Sequence, residues 1–458
     1  MSAAAARAEV PAGAAAVLRR LKDAGHEAWL VGGCVRDLLL GRKPKDWDVT
    51  TDARPEQVEA LFEKTVAVGK AFGIVTVLPG GGEAPVEVAT YRADSPDTPD
   101  GRHPASISFS DAREDALRRD FTVNALYLDP ETGEIRDETG GRADLAARRI
   151  RAIGDAERRF REDALRMLRA VRFAAVLGFG IEEGTMAAVQ ANTALLGNVS
   201  AERIRDELCR MFTEAPDASR ALHLLDESGL LAAVLPEVAA MHGVEQPPEF
   251  HPEGDVFVHT AKMLGMMPFP RSTRLALGVL LHDVGKPPTA AYKRRKAGGE
   301  WRWTFESHAA VGAGMADAIL RRLRAPNALR EDVVRLVADH MRLADAPSMR
   351  AGKLRRLLGD PLFGDLLELH RLDCLSCHGQ LDKYEFLRVA RARFAAEPVL
   401  PPPLVRGRDL VAAGLAPGPE FKDLLQKAYD LQLEGTGDKA SILAAILPPE
   451  PGSRRPPG

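Results

Sequence analysis

The sequence is poor in cysteine, in long apolar runs and in excess charge of either sign. Four cysteines in 458 residues are too few for a disulfide framework, and no apolar run approaches the roughly 20 residues that cross a bilayer. The Ala-rich N-terminus is interrupted by Arg7 and Glu9, which argues against a signal peptide. With 62 basic and 65 acidic residues, any nucleic-acid surface must be a local patch. These absences predict a cytoplasmic globular protein that does not enter a membrane, and they leave its oligomeric state open.

Two regions of different periodicity divide the chain. Up to about residue 145, short strand-like runs alternate with short helices around glycine breaks. Beyond that point apolar spacing of three and four residues dominates, interrupted by a Pro-containing linker at 244–252 and a break at 398–403. The prediction is an α+β protein with a small mixed α/β head followed by helical regions. Its predicted domains are the head (1–145), an extended all-α neck (146–245), a second helical domain (246–395) and a helical tail (396–458).

Two aspartates separated by one residue are the strongest chemical signal in the head. Asp46 and Asp48 are placed in a predicted strand, where residues i and i+2 point to the same face. Two carboxylates so placed suit a pair of divalent cations about 3.5–4 Å apart, the arrangement that drives in-line attack at phosphorus. Glu87, on a later predicted strand, is either a third acidic ligand or the outward face of an amphipathic strand. We therefore predict Asp46 and Asp48 to be catalytic metal ligands.

Glycines and arginines near these aspartates predict a nucleotide-binding surface. Gly32 and Gly33 stand at a strand-to-helix junction, where backbone amides approach a triphosphate closely, although an ordinary tight turn has the same pattern. Residues 118–124 gather donors and acceptors just before a strand. Arginine suits bidentate phosphate binding, whereas a charged lead-in to a strand is the plainer interpretation. The candidate nucleotide-binding residues of the head are Gly32, Gly33, Arg36, Arg119, Asp120 and Asn124, of which Asp120 and Asn124 suit a ribose hydroxyl.

Taken together, segments 30–37, 46–48, 118–124 and 162–166 resemble the bacterial class II tRNA nucleotidyltransferases, the family of CCA-adding enzymes and poly(A) polymerases. Segments 137–145, 202–207 and 414–421 extend the resemblance over essentially the whole chain. It implies Mg²⁺-dependent, template-independent transfer of CMP and AMP from CTP and ATP to the 3′ end of tRNA. Two alternatives are a poly(A) polymerase and a non-catalytic RNA-binding protein. The paired aspartates argue against the second, because a pure binder has no use for clustered carboxylates beside phosphate.

The resemblance also implies how the incoming base is chosen. Asp163 and Arg166 match the family's base-reading residues, and their i, i+3 spacing predicts that both lie on one helix face. An exposed salt bridge within that helix is the alternative. A carboxylate accepts from the exocyclic amino group shared by cytosine and adenine, and a guanidinium donates to the neighbouring ring atoms. Arg169 is assigned to the same nucleotide surface, and residues 93–117 match the flexible segment of enzymes that add all three nucleotides.

A second constellation of possible metal ligands occupies the helical block after residue 246. Segments 256–260 and 280–286 resemble the start of an HD phosphohydrolase domain, in which separate helices contribute ligands for one or two divalent metals. Imidazole and carboxylate groups suit a first-row transition metal, whose identity the pattern leaves open. Lys286 is either a phosphate contact or a solvated helix end. The resemblance implies hydrolysis of phosphomonoesters or 2′,3′-cyclic phosphates, with the metal ligands His259, His282, Asp283, His308, His340 and Asp373.

Overall fold

The structure is a computed structural model that describes residues 9–66, 73–93, 108–249, 251–294, 300–394 and 398–447. These residues form two compact units. The first runs to Ala239 and includes Arg322–Arg324, and the second comprises the remainder from Ala240. The division falls close to the predicted end of the neck, while the finer four-domain division stays a prediction. Residues 94–106, predicted to form a mobile loop, lie outside the described residues. Across the described ranges, no helix is long and apolar enough to span a bilayer.

The head is built around one seven-stranded sheet with short helices beside it. Its elements are α1 Ala12–Asp23, β1 Ala28–Val31, α2 Gly33–Leu39, β2 Asp48–Thr51, α3 Pro55–Leu61, β3 Thr65–Val66, β4 Ile74–Val77, β5 Val86–Thr90, β6 Arg92–Ala93, β7 Ser108–Phe109, α4 Ala112–Leu117, a 3₁₀ helix Thr122–Asn124, β8 Leu126–Leu128, β9 Ile135–Asp137 and α5 Gly141–Ala146. The strands follow the order β3-β4-β5-β2-β1-β8-β9. Only β2 and β5 pair in parallel; the other neighbours in this sheet are antiparallel.

The apolar runs of the head predict paired strands at 74–78 and 86–90 and a hairpin of 121–128 with 135–137. The structure confirms both pairs, as β4 with β5 and β8 with β9, with one local difference. The strand expected from residue 121 begins only at Leu126, because Thr122–Asn124 turns as a 3₁₀ helix. Local hydrogen bonds compete with an extended backbone there, since the Asp120 carboxylate accepts from the Phe121 amide at 2.8 Å. The turn places Asn124 beside the start of α2 rather than along the sheet.

The rest of the first unit is mainly helical. Its elements are β10 Arg149–Ile150, α6 Ala156–Glu162, α7 Leu165–Leu177, β11 Gly180–Ile181, α8 Glu183–Asn192, a 3₁₀ helix Thr193–Asn198, α9 Ala201–Glu214, α10 Ala218–Glu227, α11 Leu230–Val234 and α12 Pro236–Ala239. The short strands β10 and β11 pair in parallel. Helix α7 is the centre of this region, because most of its length is buried between α9 and α10.

The second unit is helical except for one hairpin. Its elements are α13 Val256–Met266, α14 Thr273–Leu281, α15 Lys286–Thr289, β12 Ala290–Arg294, β13 Trp301–Phe305, α16 His308–Arg322, α17 Asn327–Asp339, a 3₁₀ helix Arg342–Ser348, α18 Ala351–Leu358, α19 Phe363–Ser376, α20 Asp382–Ala392, α21 Gly407–Ala412, α22 Glu420–Leu433 and α23 Lys439–Ile446. A mixed head followed by helical regions is therefore confirmed. The antiparallel pair β12–β13 is an addition to the all-α arrangement expected there.

Candidate functional site

The predicted catalytic carboxylates meet at the point where β2 and β5 run side by side. Asp48 opens β2 and lies opposite Glu87 in the parallel register. Asp46 lies before the strand in an exposed bend, so the strand geometry expected for the pair holds for Asp48 alone. Glu87 is exposed and beside Asp48, which favours the third-ligand interpretation over an unconnected outward face. Three carboxylates are thus gathered at one edge of the head.

The electrostatics of Asp48 fit a bound cation. Burial and repulsion by Glu87 raise the pKa of Asp48 to about 6, with a smaller contribution from Asp46, while Arg119 opposes them. A carboxyl group with this pKa marks a place where negative charge is crowded and incompletely compensated. One or two divalent cations would relieve the repulsion, so the residues present fit a metal of the kind that oxygen ligands prefer.

The glycine junction borders these carboxylates. Gly32 has φ 78° and ψ −132°, a backbone conformation that residues with a side chain rarely adopt. A Cβ at this position would lie 3.6 Å from the Arg119 guanidinium and 3.9 Å from the Asp48 carboxylate. The backbone of Gly32 therefore borders both the positive charge of Arg119 and the Asp48 carboxylate. A ligand with phosphate groups bound here would contact a positive charge and lie beside a carboxylate that suits a divalent cation.

Asp115 holds the arginines of segment 118–124, and sequence reasoning missed it. Its carboxylate has no solvent exposure and accepts from Arg118 at 2.6 and 2.8 Å, from Arg119 at 3.0 and 3.3 Å, and from the Tyr127 hydroxyl at 2.8 Å. Burial would raise the pKa of Asp115, but Arg119 and Arg118 lower it below its usual range. The i, i+3 and i, i+4 spacing to the two arginines was the available signal. Arg119 is thus fixed in place, at the glycine junction.

Asp120 and Asn124 belong to a buried polar chain that joins three elements. Arg36 in α2 donates to the Asn124 side-chain oxygen at 2.7 Å, and the Asn124 amide donates to Asp120 at 3.2 Å. Arg169 in α7 then donates twice to Asp120, at 2.6 and 2.9 Å. Burial opposes the ionisation of Asp120, yet Arg169 lowers its pKa to about 2. The chain brings together four of the predicted nucleotide-binding residues, although the Asp120 carboxylate already has protein partners on both oxygens.

The predicted helix face of Asp163 and Arg166 does not exist, and this expectation was wrong. Helix α6 ends at Glu162, Asp163 has an extended backbone with φ −147° and ψ 102°, and α7 begins at Leu165. A salt bridge between Asp163 and Arg166, the alternative interpretation, is also not formed, because each side chain has other partners. Arg203 in α9 donates to both Asp163 oxygens at 2.8 and 3.2 Å. Arg166 donates to the Glu162 carboxylate at 3.1 Å and to a backbone carbonyl at 2.9 Å. Each side chain is therefore held independently, and Arg203 was missed.

The structure brings together all six residues of the second constellation, from three helices, α13, α16 and α19, and from the C-terminal ends of two more, α14 and α17. One group consists of His259, His282 and Asp373 and another of Asp283, His308 and His340, each with ligand atoms within 4.8 Å of one another. Asp283 faces both groups. One of its oxygens lies 3.0 Å from His282 Nε2, and the other lies 3.6 Å from His308 Nε2. The two histidines of the second group approach to 3.2 Å between their Nε2 atoms.

Hydrogen bonds orient every histidine of this centre. The Nδ1 atoms of His282, His308 and His340 lie 2.7–2.8 Å from the backbone carbonyl three residues earlier. A carbonyl only accepts, so Nδ1 carries the proton and the Nε2 lone pair faces the centre. His259 is oriented in the same way by a carboxylate, since its Nδ1 lies 2.7 Å from Glu253 Oε1. All four imidazoles thus present the nitrogen that binds metal.

Several buried atoms of the centre are left without a hydrogen-bond partner. They are His259 Nε2, His282 Nε2 and Asp283 Oδ1. Burial also lowers the pKa of His340 to about 4, which keeps that imidazole neutral near pH 7. Unpaired lone pairs facing one another are costly when buried. A divalent cation bound between them would satisfy all three atoms at once, so these residues fit a metal or a metal pair.

Three neighbours of this centre, Glu253, His251 and Gln246, were not predicted from the sequence, and a fourth, Lys286, was left with two interpretations. Glu253 bridges His259 and His251, accepting from the second at 3.0 Å. Lys286 is buried and donates to Asp283 at 2.7 Å and to the Gln246 side chain at 2.6 Å. Its interpretation as a solvated helix end is therefore wrong. Glu253, His251 and Gln246 come from the irregular segment before α13, where no periodic pattern marked them.

Comparison with known proteins gives a family for this arrangement. The family models that match are the poly A polymerase head domain at 28–151, the probable RNA and SrmB-binding site of polymerase A at 178–241, and the HD domain at 257–374. The crystal structure of the Bacillus stearothermophilus CCA-adding enzyme in complex with CTP is 30% identical with a TM-score of 0.71, covering 94% of this chain and 95% of that one. The chain belongs to the CCA-adding enzyme family.

Other relatives of this CCA-adding enzyme family member match shorter stretches or the fold alone. The curated CCA-adding enzyme of Geobacillus stearothermophilus is 47% identical over 224 residues, 49% of this chain and 54% of the relative. That of Lactobacillus helveticus is 50% identical over 196 residues, 43% and 48% of the two chains. The chain thus spans about half the length of the curated relatives it matches. The Thermotoga maritima enzyme complexed with tRNA, at 19% identity and a TM-score of 0.56, shares the fold.

Proposed function

We propose that the chain is a cytoplasmic CCA-adding enzyme, which transfers CMP and AMP from CTP and ATP to the 3′ end of tRNA without a template. The observation that carries the proposal is the meeting of Asp48, Glu87 and Asp46 beside the Gly32 backbone and the Arg119 guanidinium. Carboxylates suit divalent cations, and the adjoining backbone and arginine suit a triphosphate. A poly(A) polymerase shares much of this chemistry, but the relatives reported above are named as CCA-adding enzymes.

In the proposed reaction, Asp46 and Asp48 would hold Mg²⁺, with Glu87 as a further ligand. Divalent cations held there would activate the attacking 3′-hydroxyl and neutralise the charge of the leaving pyrophosphate. Arg119 offers its charge to the triphosphate from a position fixed by the buried Asp115. A series of hydrogen bonds holds the neighbouring nucleotide-binding candidates in place; it links Arg36, Asn124, Asp120 and Arg169.

We propose Asp163 and Arg166 as the residues that read the base. Asp163 accepts from the exocyclic amino group of cytosine or adenine, and Arg166 donates to the neighbouring ring nitrogen or carbonyl. Uracil and guanine present the opposite polarity. Support comes from the way each side chain is held, Asp163 by Arg203 and Arg166 by Glu162. A pre-positioned donor and acceptor discriminate better than mobile ones, because a wrong base leaves them unpaired.

The first experiment offers CTP and ATP, separately and together, to tRNA lacking its terminal triplet. Wild-type protein should add two cytidines and one adenosine and then stop. Asp48→Asn and Asp46→Asn should abolish both additions, whereas Asp52→Asn, an exposed aspartate just after β2, should leave them intact. Near-normal addition by the Asp48 variant would remove the metal assignment. A long adenosine ladder from ATP alone would favour the poly(A) polymerase alternative.

The second experiment measures misincorporation. Asp163→Ala and Arg166→Ala should relax rejection of UTP and GTP by the equivalent of about 1–3 kcal/mol each. Arg161→Ala is the matched control, because this arginine of α6 is mostly exposed and pairs within its own helix. If misincorporation by folded Asp163 and Arg166 variants equals that of the control, the base-reading assignment fails.

We also propose that the second unit is a metal-dependent phosphohydrolase. The observation that carries this proposal is the set of six converging ligands with unpaired buried Nε2 and Oδ1 atoms. A transition metal held there would lower the pKa of bound water and supply a nucleophile near neutral pH. The substrates are phosphomonoesters or 2′,3′-cyclic phosphates. In the cyclic case water adds to phosphorus, one ester P–O bond breaks, and the released ribose oxygen takes up a proton.

The phosphohydrolase is tested with Mg²⁺, Mn²⁺, Ni²⁺ and Co²⁺ supplied in turn. Asp283→Ala should lose bound metal and hydrolysis, because Asp283 faces both ligand groups. Glu331→Gln, an exposed carboxylate of α17, is the control. Incorporation of CTP and ATP should continue in both variants. Wild-type protein that hydrolyses none of these esters and retains no metal at the centre would overturn the proposal.

A further inference from the structure

The hairpin of β12 and β13 gathers residue types that are rare elsewhere in the chain. The whole sequence has four tryptophans and five tyrosines in 458 residues. Two of those tryptophans and one tyrosine, Trp301, Trp303 and Tyr292, lie within these two short strands. The strands also carry three basic residues and no acidic one. Such a composition is not expected of a connecting hairpin in a chain with net charge −3.

The three rings lie on one face of the hairpin. Tyr292 is the register partner of Trp303, so the two share a face, and Trp301 is two residues from Trp303 on the same face. Tyr292 and Trp301 stack with centroids 5.7 Å apart and planes 17° from parallel. Tyr292 is 53% exposed and Trp301 is 55% exposed. Two large rings therefore present a flat apolar surface to solvent.

The same face leads into the proposed phosphohydrolase centre. Phe305 follows Trp301 and Trp303 at alternate positions of β13, and its ring centroid lies 5.5 Å from Lys286 Nζ. Lys286 Nζ lies 2.7 Å from Asp283, the carboxylate that faces both ligand groups. The four-residue step from Trp301 to Phe305 covers about 13 Å in an extended strand. The face of β13 that carries the exposed rings thus also carries Phe305, which contacts Lys286 beside Asp283.

Charge on the hairpin selects the kind of ligand. Arg294 is exposed and is the register partner of Trp301, so a guanidinium stands on the aromatic face. Lys293 and Arg302 add positive charge on the other face, although each has a carboxylate partner within 4 Å. Exposed rings combined with arginine bind single-stranded nucleic acid, because bases stack on the rings while the cation meets the phosphate backbone.

We infer that this aromatic face binds the single-stranded 3′ end of an RNA and delivers its terminal phosphate to the HD centre. The substrate of the second unit is then a phosphorylated or cyclic-phosphate RNA end rather than a free nucleotide. This inference rests on the proposed phosphohydrolase activity and names its substrate class. A purely stabilising role for the rings explains their mutual stacking, since a lone hairpin is marginally stable. It does not explain two rings left more than half exposed on the face of the hairpin that leads to Phe305 and Lys286.

The test compares two substrates of the same chemistry. One is a short single-stranded RNA ending in a 2′,3′-cyclic phosphate, and the other is the corresponding cyclic mononucleotide. The measured quantity is the ratio of kcat/KM for the RNA to kcat/KM for the mononucleotide. Trp301→Ala and Tyr292→Ala should each lower this ratio by roughly 5- to 150-fold, the equivalent of about 1–3 kcal/mol for one stacked base. Trp301→Phe should retain most of the wild-type ratio. Phe386 is an exposed aromatic residue of α20, and Phe386→Ala should leave the ratio unchanged.

Binding of the same RNA, labelled with a fluorophore, to the Asp283→Ala variant separates the two proposals. Weaker binding after Trp301→Ala in that background supports the inference even if the protein hydrolyses neither substrate, in which case the proposed phosphohydrolase alone fails. An unchanged ratio and unchanged RNA binding overturn the inference. Equal loss on both substrates also overturns it, because the rings would then only support the centre. Self-association that depends on Trp301, without RNA affinity, would assign the face to a second copy of the chain.

Discussion

Replacing Glu253 should weaken metal binding at the HD centre while leaving nucleotide addition intact. Glu253 Oε1 lies 2.7 Å from His259 Nδ1 and 3.0 Å from His251 Nδ1, and its side chain is almost fully buried. Burial lowers the pKa of His259, but the neighbouring carboxylates of Asp373 and Glu253 raise it to about 9. The carboxylate therefore fixes the orientation of the imidazole and increases its basicity, which are the two properties that a metal ligand needs.

The size of the effect follows from what each substitution leaves behind. Residues that orient a metal ligand typically contribute 10- to 100-fold in metal affinity, or about 1.4–2.7 kcal/mol. Glu253→Gln keeps an acceptor oxygen and loses only the charge, so we expect a loss near the lower limit. Glu253→Ala leaves His259 Nδ1 with the Ser376 hydroxyl at 3.2 Å as its remaining partner. The loss of metal affinity caused by Glu253→Ala should therefore lie near the upper limit, about 100-fold.

The measurement is calorimetric titration of metal-free protein with Mn²⁺ or Ni²⁺, with Glu331→Gln as the control. Addition of C and A to tRNA by the same preparations shows that the rest of the chain is folded and active. The expected order of metal affinity is wild type, Glu253→Gln, Glu253→Ala. If both variants bind metal within two-fold of wild type, the hydrogen bond to His259 does not orient a ligand and the argument is refuted.

Two further substitutions test other parts of the chain. Arg169→Ala should cost about 2–3 kcal/mol of stability at pH 7 in denaturant titrations, because it removes the partner that lowers the pKa of Asp120 to about 2. That cost should shrink as the pH falls from about 4 towards 2, since Asp120 protonates in both states. Gly285→Ala would place a Cβ 2.1 Å from the His308 carbonyl oxygen, so metal binding should fall sharply, whereas Gly314→Ala meets nothing within 4 Å and should be neutral.

The sequence predicted most of the head because its strands are short, apolar and separated by glycine. The turn at Gly32 and the strands β4 and β5 need only local pattern to be recognised. The convergence of the six candidate metal ligands was also predictable, because the resemblance to the HD domain identifies each of them by its position in the sequence. Local pattern and a specific motif suffice where no distant contact decides the conformation.

One wrong prediction concerns a segment whose backbone conformation depends on a partner that is distant in the sequence. The charged run around Asp163 predicts one helix, yet one helix ends at Glu162 and the next begins at Leu165. Between them, the Asp163 carboxylate accepts hydrogen bonds from Arg203, forty residues away in the sequence. Glu253 was missed for another reason: it lies in an irregular segment six residues before His259, where no periodic pattern predicts that the two side chains meet. The hairpin was different, since alternate aromatics from Trp301 to Phe305 were a local strand signal that the surrounding helical pattern obscured.

The positions of the ligands give a physical reason why helices build this centre. His282 directly follows α14 and His340 directly follows α17, so both lie where the last backbone carbonyls of a helix lack an intrahelical partner. Each imidazole donates Nδ1–H to such a carbonyl, at Val279 and Val337. One hydrogen bond thus satisfies an orphan acceptor and turns Nε2 towards the other candidate ligands. The negative ends of two helix dipoles also point towards the centre, which favours a cation there. A histidine moved one turn back into either helix would lose the orphan carbonyl and the orientation together, even if it still reached the metal.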